Sequence, residues 1–168
     1  MAVVLKKLRE ETYPIVKWVG GKRQLMFELQ KNMPEYYNRY FEPFIGGGAL
    51  FFYLQPDNAY ISDMNEELIN LYQVVRDNVD ELVADLQKHD ISKEYFMEIR
   101  NIDRTEEYES WSDVQKASRF IYLNRTCFNG MYRVNSKGEF NVPFGHYKNP
   151  RILDENNIIN CSNLLQRT

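Results

Sequence analysis

Cysteine and histidine are scarce in these 168 residues, with two of each. Cys127 and Cys161 have neither the spacing of a disulfide framework nor that of a zinc site, which points to a reduced, cytosolic protein. His89 and His146 have no partner spacing for a catalytic triad or a metal. His89 ends a helical stretch and reads as a C-terminal cap. Long apolar runs are missing too. The start, Met1-Ala-Val-Val-Leu-Lys-Lys, is too short a run for a signal peptide, and no stretch reaches the roughly 20 residues that a membrane span needs. There is no low-complexity tract and no internal repeat. What remains is a globular composition, 43% hydrophobic and 27% charged, sufficient for one domain with room for a small insertion.

Aromatic residues are abundant at 14%. They suit stacking surfaces, although filling the core is their ordinary use. The net charge of −3 hides a strong asymmetry. Tyr53 to Asp113 carries sixteen acidic and five basic residues, whereas Lys116 to Arg151 carries seven basic and one acidic. A polyanion-facing segment on an acidic body would look like this, and so would a merely solvated basic face.

The chain is organised around Arg39-Tyr-Phe-Glu-Pro-Phe-Ile-Gly-Gly-Gly-Ala-Leu-Phe-Phe-Tyr-Leu54. A short aromatic strand runs into three glycines, and a continuous apolar run then suits a buried helix start. Glycine lets backbone approach a ligand closely at such a turn. A second strand, Ala59-Tyr-Ile-Ser62, ends at Asp63, where nucleotide-binding α/β folds hold a ribose. The glycines do not follow G-x-G-x-x-G, so a tight turn beside an ordinary surface Asp fits as well. Upstream, Trp18-Val-Gly-Gly-Lys22 precedes a helical stretch from Gln24 to Asn32. It resembles the tail of a phosphate-binding P-loop, but Arg23 replaces the magnesium-binding Ser or Thr and the first glycine is missing. A nucleotide triphosphatase is therefore rejected. A cation and a flat aromatic beside a helix N-terminus remain, suited to a carboxylate and an adenine ring.

Further on, Asn65 reads as the cap of an amphipathic helix to Arg76, with Leu68, Leu71, Tyr72 and Val75 on its apolar face. Helices are expected over Val79–His89, Ser92–Asn101 and Asp113–Leu123, with solvated charged faces around an acidic linker, Asp103–Ser110. The segment Asn124 to Asn135 is dense in Arg and Asn, the side chains that read guanine and adenine edges. Asn135-Ser-Lys-Gly138 predicts a hairpin turn with Gly138 left-handed, joining Met131–Val134 to Glu139–Tyr147. Such a basic hairpin can enter a groove or wedge a base step. A purely structural hairpin is the alternative.

Three blocks then coincide in order: Lys17-Trp-Val-Gly-Gly-Lys22, Phe41-Glu-Pro-Phe-Ile-Gly-Gly-Gly48 with Asp63, and Asn124–Arg133 with Gly138-Glu-Phe-Asn-Val-Pro-Phe-Gly145. Together they resemble the Dam-type (D12 class) DNA adenine-N6 methyltransferases from about Pro14 to Lys148. The resemblance implies an α/β fold, an incomplete Rossmann-like methyltransferase sheet with a mostly helical DNA-recognition insertion ending in a β-hairpin. It implies S-adenosylmethionine as cofactor and double-stranded DNA, within GATC, as substrate. By matching position, Trp18, Gly20, Gly21 and Lys22 would line the cofactor pocket. Phe44, Gly46, Gly47 and Gly48 would pass under the methionine part, and Asp63 would hold the ribose. Arg125, Asn129, Met131, Arg133, Lys137, Pro143 and Tyr147 would face DNA, and Phe128 would be a wedge between bases. The host would be bacterial or phage-borne, with a restriction-modification role among the possibilities.

The family's catalytic Asp-Pro-Pro-Tyr is absent: the six prolines are never adjacent. No catalytic residue and no metal ligand is therefore assigned. Ile158-Ile-Asn-Cys-Ser162 reads as the strand before that motif. The expected organisation is a cofactor-binding part over residues 1–75, a recognition region over 76–150 and a return to the catalytic sheet, cut short, over 151–168. A C-terminal fragment or a second copy would complete the fold. Two other readings stand beside the enzyme, a non-catalytic remnant that binds cofactor or DNA and a dinucleotide-dependent oxidoreductase. The glycine pattern and the hairpin disfavour the last.

Overall fold

The computed structural model describes residues 11–168, so most of the charged start, read as frayed or partly helical over residues 1–13, lies outside the described residues. A single turn of tight helix over Lys22–Leu25 leads into α1, Met26–Lys31. Then come β1 (Tyr40–Glu42), α2 (Ala49–Leu54) and β2 (Ala59–Ile61), with the strands parallel and Tyr40 opposite Ala59. Among the described residues this βαβ unit is the whole regular sheet, so helices dominate a mixed α/β fold. They are α3 (Glu66–Asp77), α4 (Val79–Leu86), α5 (Lys93–Asn101), α6 (Asp113–Thr126) and α7 (Glu155–Leu165).

Helix α3 starts where expected, because the Asn65 side chain accepts the Leu68 N–H at 2.8 Å. Its predicted apolar face is fully used, with Leu68, Leu71, Tyr72 and Val75 all buried. Ser112 and Gln115 close a reciprocal capping box at the start of α6. That helix is buried nearly all round, so it is a central post and not an amphipathic cover. Ala117, Phe120 and Ile121 join the main core with α2, α3, α4 and α7. Tyr122 and Leu123 join a second core with Phe96, Ile99, Phe140 and Val142 beneath the hairpin.

The predicted strand at Ile158–Ser162 is instead the middle of α7. Ile158, Cys161 and Leu165 recur at helical spacing and are buried against the main core, whereas Ile159 is 38% exposed. A short apolar run does not distinguish the two periods, and here the helical one wins. The acidic linker is two short tight-helical turns, Ile102–Arg104 and Glu106–Ser110. The hairpin forms with antiparallel bridges at Val134–Phe140 and Cys127–Phe144, and Gly138 is left-handed at φ 81°.

Candidate functional site

The three glycines after β1 are buried and enclosed. Gly46 and Gly48 have φ of 53° and 73°, and a Cβ on Gly46 would stand 2.8 Å from the Trp18 ring. Asp63, at the end of β2, closes the turn: its Oδ2 accepts the Gly46 N–H at 2.9 Å and its Oδ1 the Asn65 N–H at 3.1 Å. Each oxygen keeps a further lone pair, and the residue is half-buried, so a hydroxyl of a ligand could still be accepted. Tyr72 donates to Gly46 O at 2.7 Å from below.

Lys22 reaches the same end, donating to Phe44 O at 2.6 Å and pairing with buried Glu42 at 2.9 Å. Tyr40 donates to the other Glu42 oxygen at 2.6 Å. Burial, the bond to Glu42 and that carboxylate's charge all push the Tyr40 hydroxyl well above its ordinary range. Phe44 projects outward, 68% exposed. Gly20 and Gly21 form an exposed turn, with the Gly21 N–H donating to Trp18 O at 3.2 Å. Trp18, Gly20 and Gly21 border a groove of ≈ 1030 Å³ that runs along Thr12–Lys17 and α2. Lys22, Phe44 and Asp63 are outside its lining.

Trp18 is not a free aromatic platform. It stacks on Tyr132 at 5.6 Å, and Tyr132 stacks on Phe120 at 4.7 Å. The glycine turn thus meets the base of the hairpin and α6 through stacked rings. Glu67 reinforces this join, accepting from Tyr132 at 2.5 Å and from Tyr108 at 2.7 Å. Burial first, and then the Glu67 charge, pushes the Tyr132 hydroxyl far up, so it stays a donor.

Sequence reading missed how the N-terminal segment is fixed. The Asn157 side chain accepts the Tyr13 N–H and donates to Tyr13 O, both at 3.0 Å. The Asn124 side chain does the same for Lys17, at 2.8 and 2.9 Å, and also donates to Gly130 O at 2.9 Å. Arg125 donates to Ile15 O at 2.5 Å. Three side chains therefore fill the place of a neighbouring strand for alternate residues of Tyr13–Lys17. Arg125 is consequently turned to this segment and half-buried, not presented with the hairpin residues. A segment crowded with Asn and Arg was the available signal, but it gave no sign that two of them face inward.

The other expected DNA-facing residues are, except for Met131, exposed. Phe128 is 51% exposed, and its N–H donates to Pro143 O at 2.8 Å, which joins the Phe128–Gly130 turn to the hairpin's return arm. Asn129 is exposed in a left-handed conformation, φ 57°, which Asn tolerates better than most residues. Arg133, Lys137, Pro143 and Tyr147 are exposed. Met131 is half-buried against the second core. Lys17 lies beside Tyr147 and Gly130: its Nζ is 5.7 Å over the Tyr147 ring, and a Cβ on Gly130 would strike its stem at 2.4 Å. Cys127 is buried beneath, with its thiol pushed up to about 11 by desolvation, and is inert. Among the described residues there is no cluster of metal-binding side chains, and no helix is long and apolar enough to cross a membrane.

The family model for D12 class N6 adenine-specific DNA methyltransferases matches residues 18–168. The chain belongs to that family. Named methyltransferases align with 80% or more of the chain. The type II methyltransferase M1.LlaDCHI of Lactococcus lactis subsp. cremoris is 49% identical over 96% of this chain and 58% of its own length. M.MjaIII of Methanocaldococcus jannaschii is 41% identical over 93% of this chain and 60% of its own length. The DNA adenine methylase of Escherichia coli K12 is 36% identical over 80% of this chain and 48% of its own length. The chain thus spans between 48% and 60% of the length of these three relatives.

Proposed function

We propose that these residues are the cofactor-binding and DNA-reading portion of an S-adenosylmethionine-dependent DNA adenine-N6 methyltransferase acting within GATC, a cytoplasmic enzyme of bacterial or phage-encoded kind. The observation that carries the reading is the join itself. The turn closed by Asp63 and the exposed hairpin face are coupled through Trp18, Tyr132 and Glu67, so a methyl donor and a base could be held at one place. The buried glycines and the spare acceptor capacity of Asp63 fit a nucleoside with vicinal hydroxyls, and exposed Phe44 offers apolar surface nearby. When bound, S-adenosylmethionine supplies an electrophilic sulfonium methyl. Asp63 would orient the ribose, Lys22 would attract the carboxylate, and Phe128 would wedge the stack open while Arg133 reads a guanine edge. The β1–α2–β2 unit would be one piece of a larger Rossmann-like sheet.

Adenine N6 is a poor nucleophile because its lone pair is delocalised into the ring. Acceptors for its two hydrogens must localise that pair, and in this family Asp-Pro-Pro-Tyr provides them. These 168 residues lack two adjacent prolines, so on their own they should transfer no methyl group. A polypeptide bearing that motif, supplied as a fragment or by a longer chain, would complete the site. Calorimetric titration with S-adenosylmethionine tests the cofactor half: Asp63→Ala should weaken binding by about 1.5–3 kcal/mol. Equal affinities would remove Asp63 from the site. Tritiated methyl transfer to a GATC duplex by the chain alone would overturn the assignment of catalysis to the missing motif.

A further inference from the structure

Phe140 begins the hairpin's return arm, and both of its backbone groups are captured by two consecutive linker side chains. Its N–H donates to Asp103 Oδ2 at 2.7 Å, and its carbonyl accepts from Arg104 Nη2 at 2.9 Å. Two side chains therefore occupy the position of a neighbouring strand. They cannot swing freely. Asp103 Oδ2 also accepts from Arg119 Nη2 at 2.6 Å, and that buried guanidinium donates further to Arg100 O from the same Nη2 at 3.0 Å and to Ile99 O from Nε at 2.9 Å. Arg104 Nε stands 3.5 Å from Glu139.

The next residue carries the constraint across the hairpin. The Asn141 N–H donates to Arg133 O at 3.0 Å, and Asn141 Oδ1 accepts from Arg133 Nε at 2.7 Å. A carboxylate and a guanidinium in the acidic linker thus fix Phe140, Phe140 fixes Asn141, and Asn141 aims the exposed guanidinium of Arg133. Bidentate reading of a base needs that aim, because a fork of two donors matches its acceptors in one plane only.

We propose that Asp103 and Arg104 are positioning residues for sequence discrimination, setting the direction of Arg133 from behind without touching DNA. The inference rests on the reading of the hairpin as a DNA-facing element. It also gives a task to a linker whose composition alone suggests a solvated surface. Asp103 is itself unsuited to the test, since its loss strands the buried Arg119 charge; Arg104 is partly exposed and can be changed.

The test is competition anisotropy with a GATC duplex and single-base variants of equal length, on wild type, Arg104→Ala, Arg104→Lys and Arg133→Ala. Hydrogen exchange of the peptide containing Phe140 is followed in parallel. Arg104→Ala should lose about tenfold of the discrimination ratio, keep the wild-type salt slope and exchange faster at Phe140, with Arg104→Lys recovering part of the ratio. Arg104→Met, which keeps the stem, replaces Arg104→Ala if the latter unfolds. Unchanged discrimination in Arg104→Ala, with a loss in Arg133→Ala, overturns the inference alone. A uniform loss on all duplexes with a shallower salt slope would make Arg104 a phosphate contact and overturn it too. If Arg133→Ala also discriminates normally, or wild type binds no duplex, the DNA-facing hairpin falls and takes this inference with it.

Discussion

At the glycine turn the polar groups face one another: Asp63 holds two backbone N–H groups, and Lys22 holds Glu42 and a carbonyl. At the hairpin the arrangement is reversed. Arg133, Lys137 and Phe128 stand outward, and the groups that organise them lie behind, in the buried Arg119–Asp103 pair. One end is shaped by backbone conformation and closes on itself without a ligand. The other is shaped by buried charge and leaves its outer groups exposed. A ligand at the first end must share groups already in use, whereas a polyanion at the second meets Arg133 and Lys137, which no carboxylate pairs among the described residues. The two ends should therefore fail differently when perturbed.

The largest effect is expected behind the hairpin. Arg119 is 2% exposed, and Arg119→Met would leave buried Asp103 only its longer cation contact, with Arg104 at 3.4 Å, and would remove the close donor of the Ile99 and Arg100 carbonyls. Breaking a buried pair from one side costs up to about 3–5 kcal/mol. At the glycine turn Gly48→Ala forces a φ of 73° on a residue with a Cβ 2.7 Å from the Phe52 ring. Strain and overpacking of that kind cost about 1–3 kcal/mol. Urea denaturation ranks the two. A wild-type midpoint for Arg119→Met would mean that the buried pair does not organise the hairpin end.

Next in size is a pH effect confined to the same end. His89 is no helix cap. Its ring nitrogens meet the Tyr95 hydroxyl and the Ser118 hydroxyl, each at 2.9 Å, and it stacks on Tyr122 at 4.4 Å. Burial lowers its pKa from 6.5 to about 4, with Asp85 opposing and Lys88 assisting. Below the ordinary histidine pKa the unfolded chain takes up a proton that the folded chain refuses until about pH 4. Stability therefore falls as pH drops through that window, by about 3 kcal/mol at most, and is level above it. Hydrogen exchange between pH 7 and 4 should show α5 and α6 losing protection before the βαβ unit. His89→Gln should remove most of the slope; an unchanged slope would assign the acid sensitivity to other groups.

The same division separates what could be read in the sequence from what could not. The α3 cap at Asn65, the glycine turn with Asp63 and the left-handed Gly138 are decided by neighbours within a few residues, and pattern exposes them. Arg119 meets Asp103 sixteen residues away, Asn124 meets Lys17 at a separation of 107, and Asn157 meets Tyr13 at 144. Nothing local marks such side chains as buried, so they read as surface charge or as base-reading groups. Arg125 was misread for that reason. The Ile158–Ser162 run failed differently: five residues do not fix a period, and only the packing of α7 against α3 shows which one applies.

The smallest effect provides the finest test of the comparison. Lys137 sits exposed at the hairpin tip, where its own N–H donates to Asn135 Oδ1 at 2.9 Å and the Gly138 N–H donates to Asn135 O at 3.0 Å. The turn is thus held by backbone and by Asn135, and the Lys137 side chain is not needed to shape it. A flexible ammonium is a point charge, without the planar fork that distinguishes one base edge from another. In the proposed complex Lys137 should therefore act by releasing counterions from one phosphate. Lys137→Ala should weaken every duplex alike by well under tenfold near physiological salt, and reduce the slope of log affinity against log salt by about one. Its melting temperature and discrimination ratio should match wild type. Arg133→Ala should do the opposite, lowering the ratio by about 1–3 kcal/mol. If Lys137→Ala relaxes discrimination instead, the tip itself reads bases, and the reading of Arg133 as the residue aimed from behind would have to be given up in favour of a hairpin that reads along its whole length.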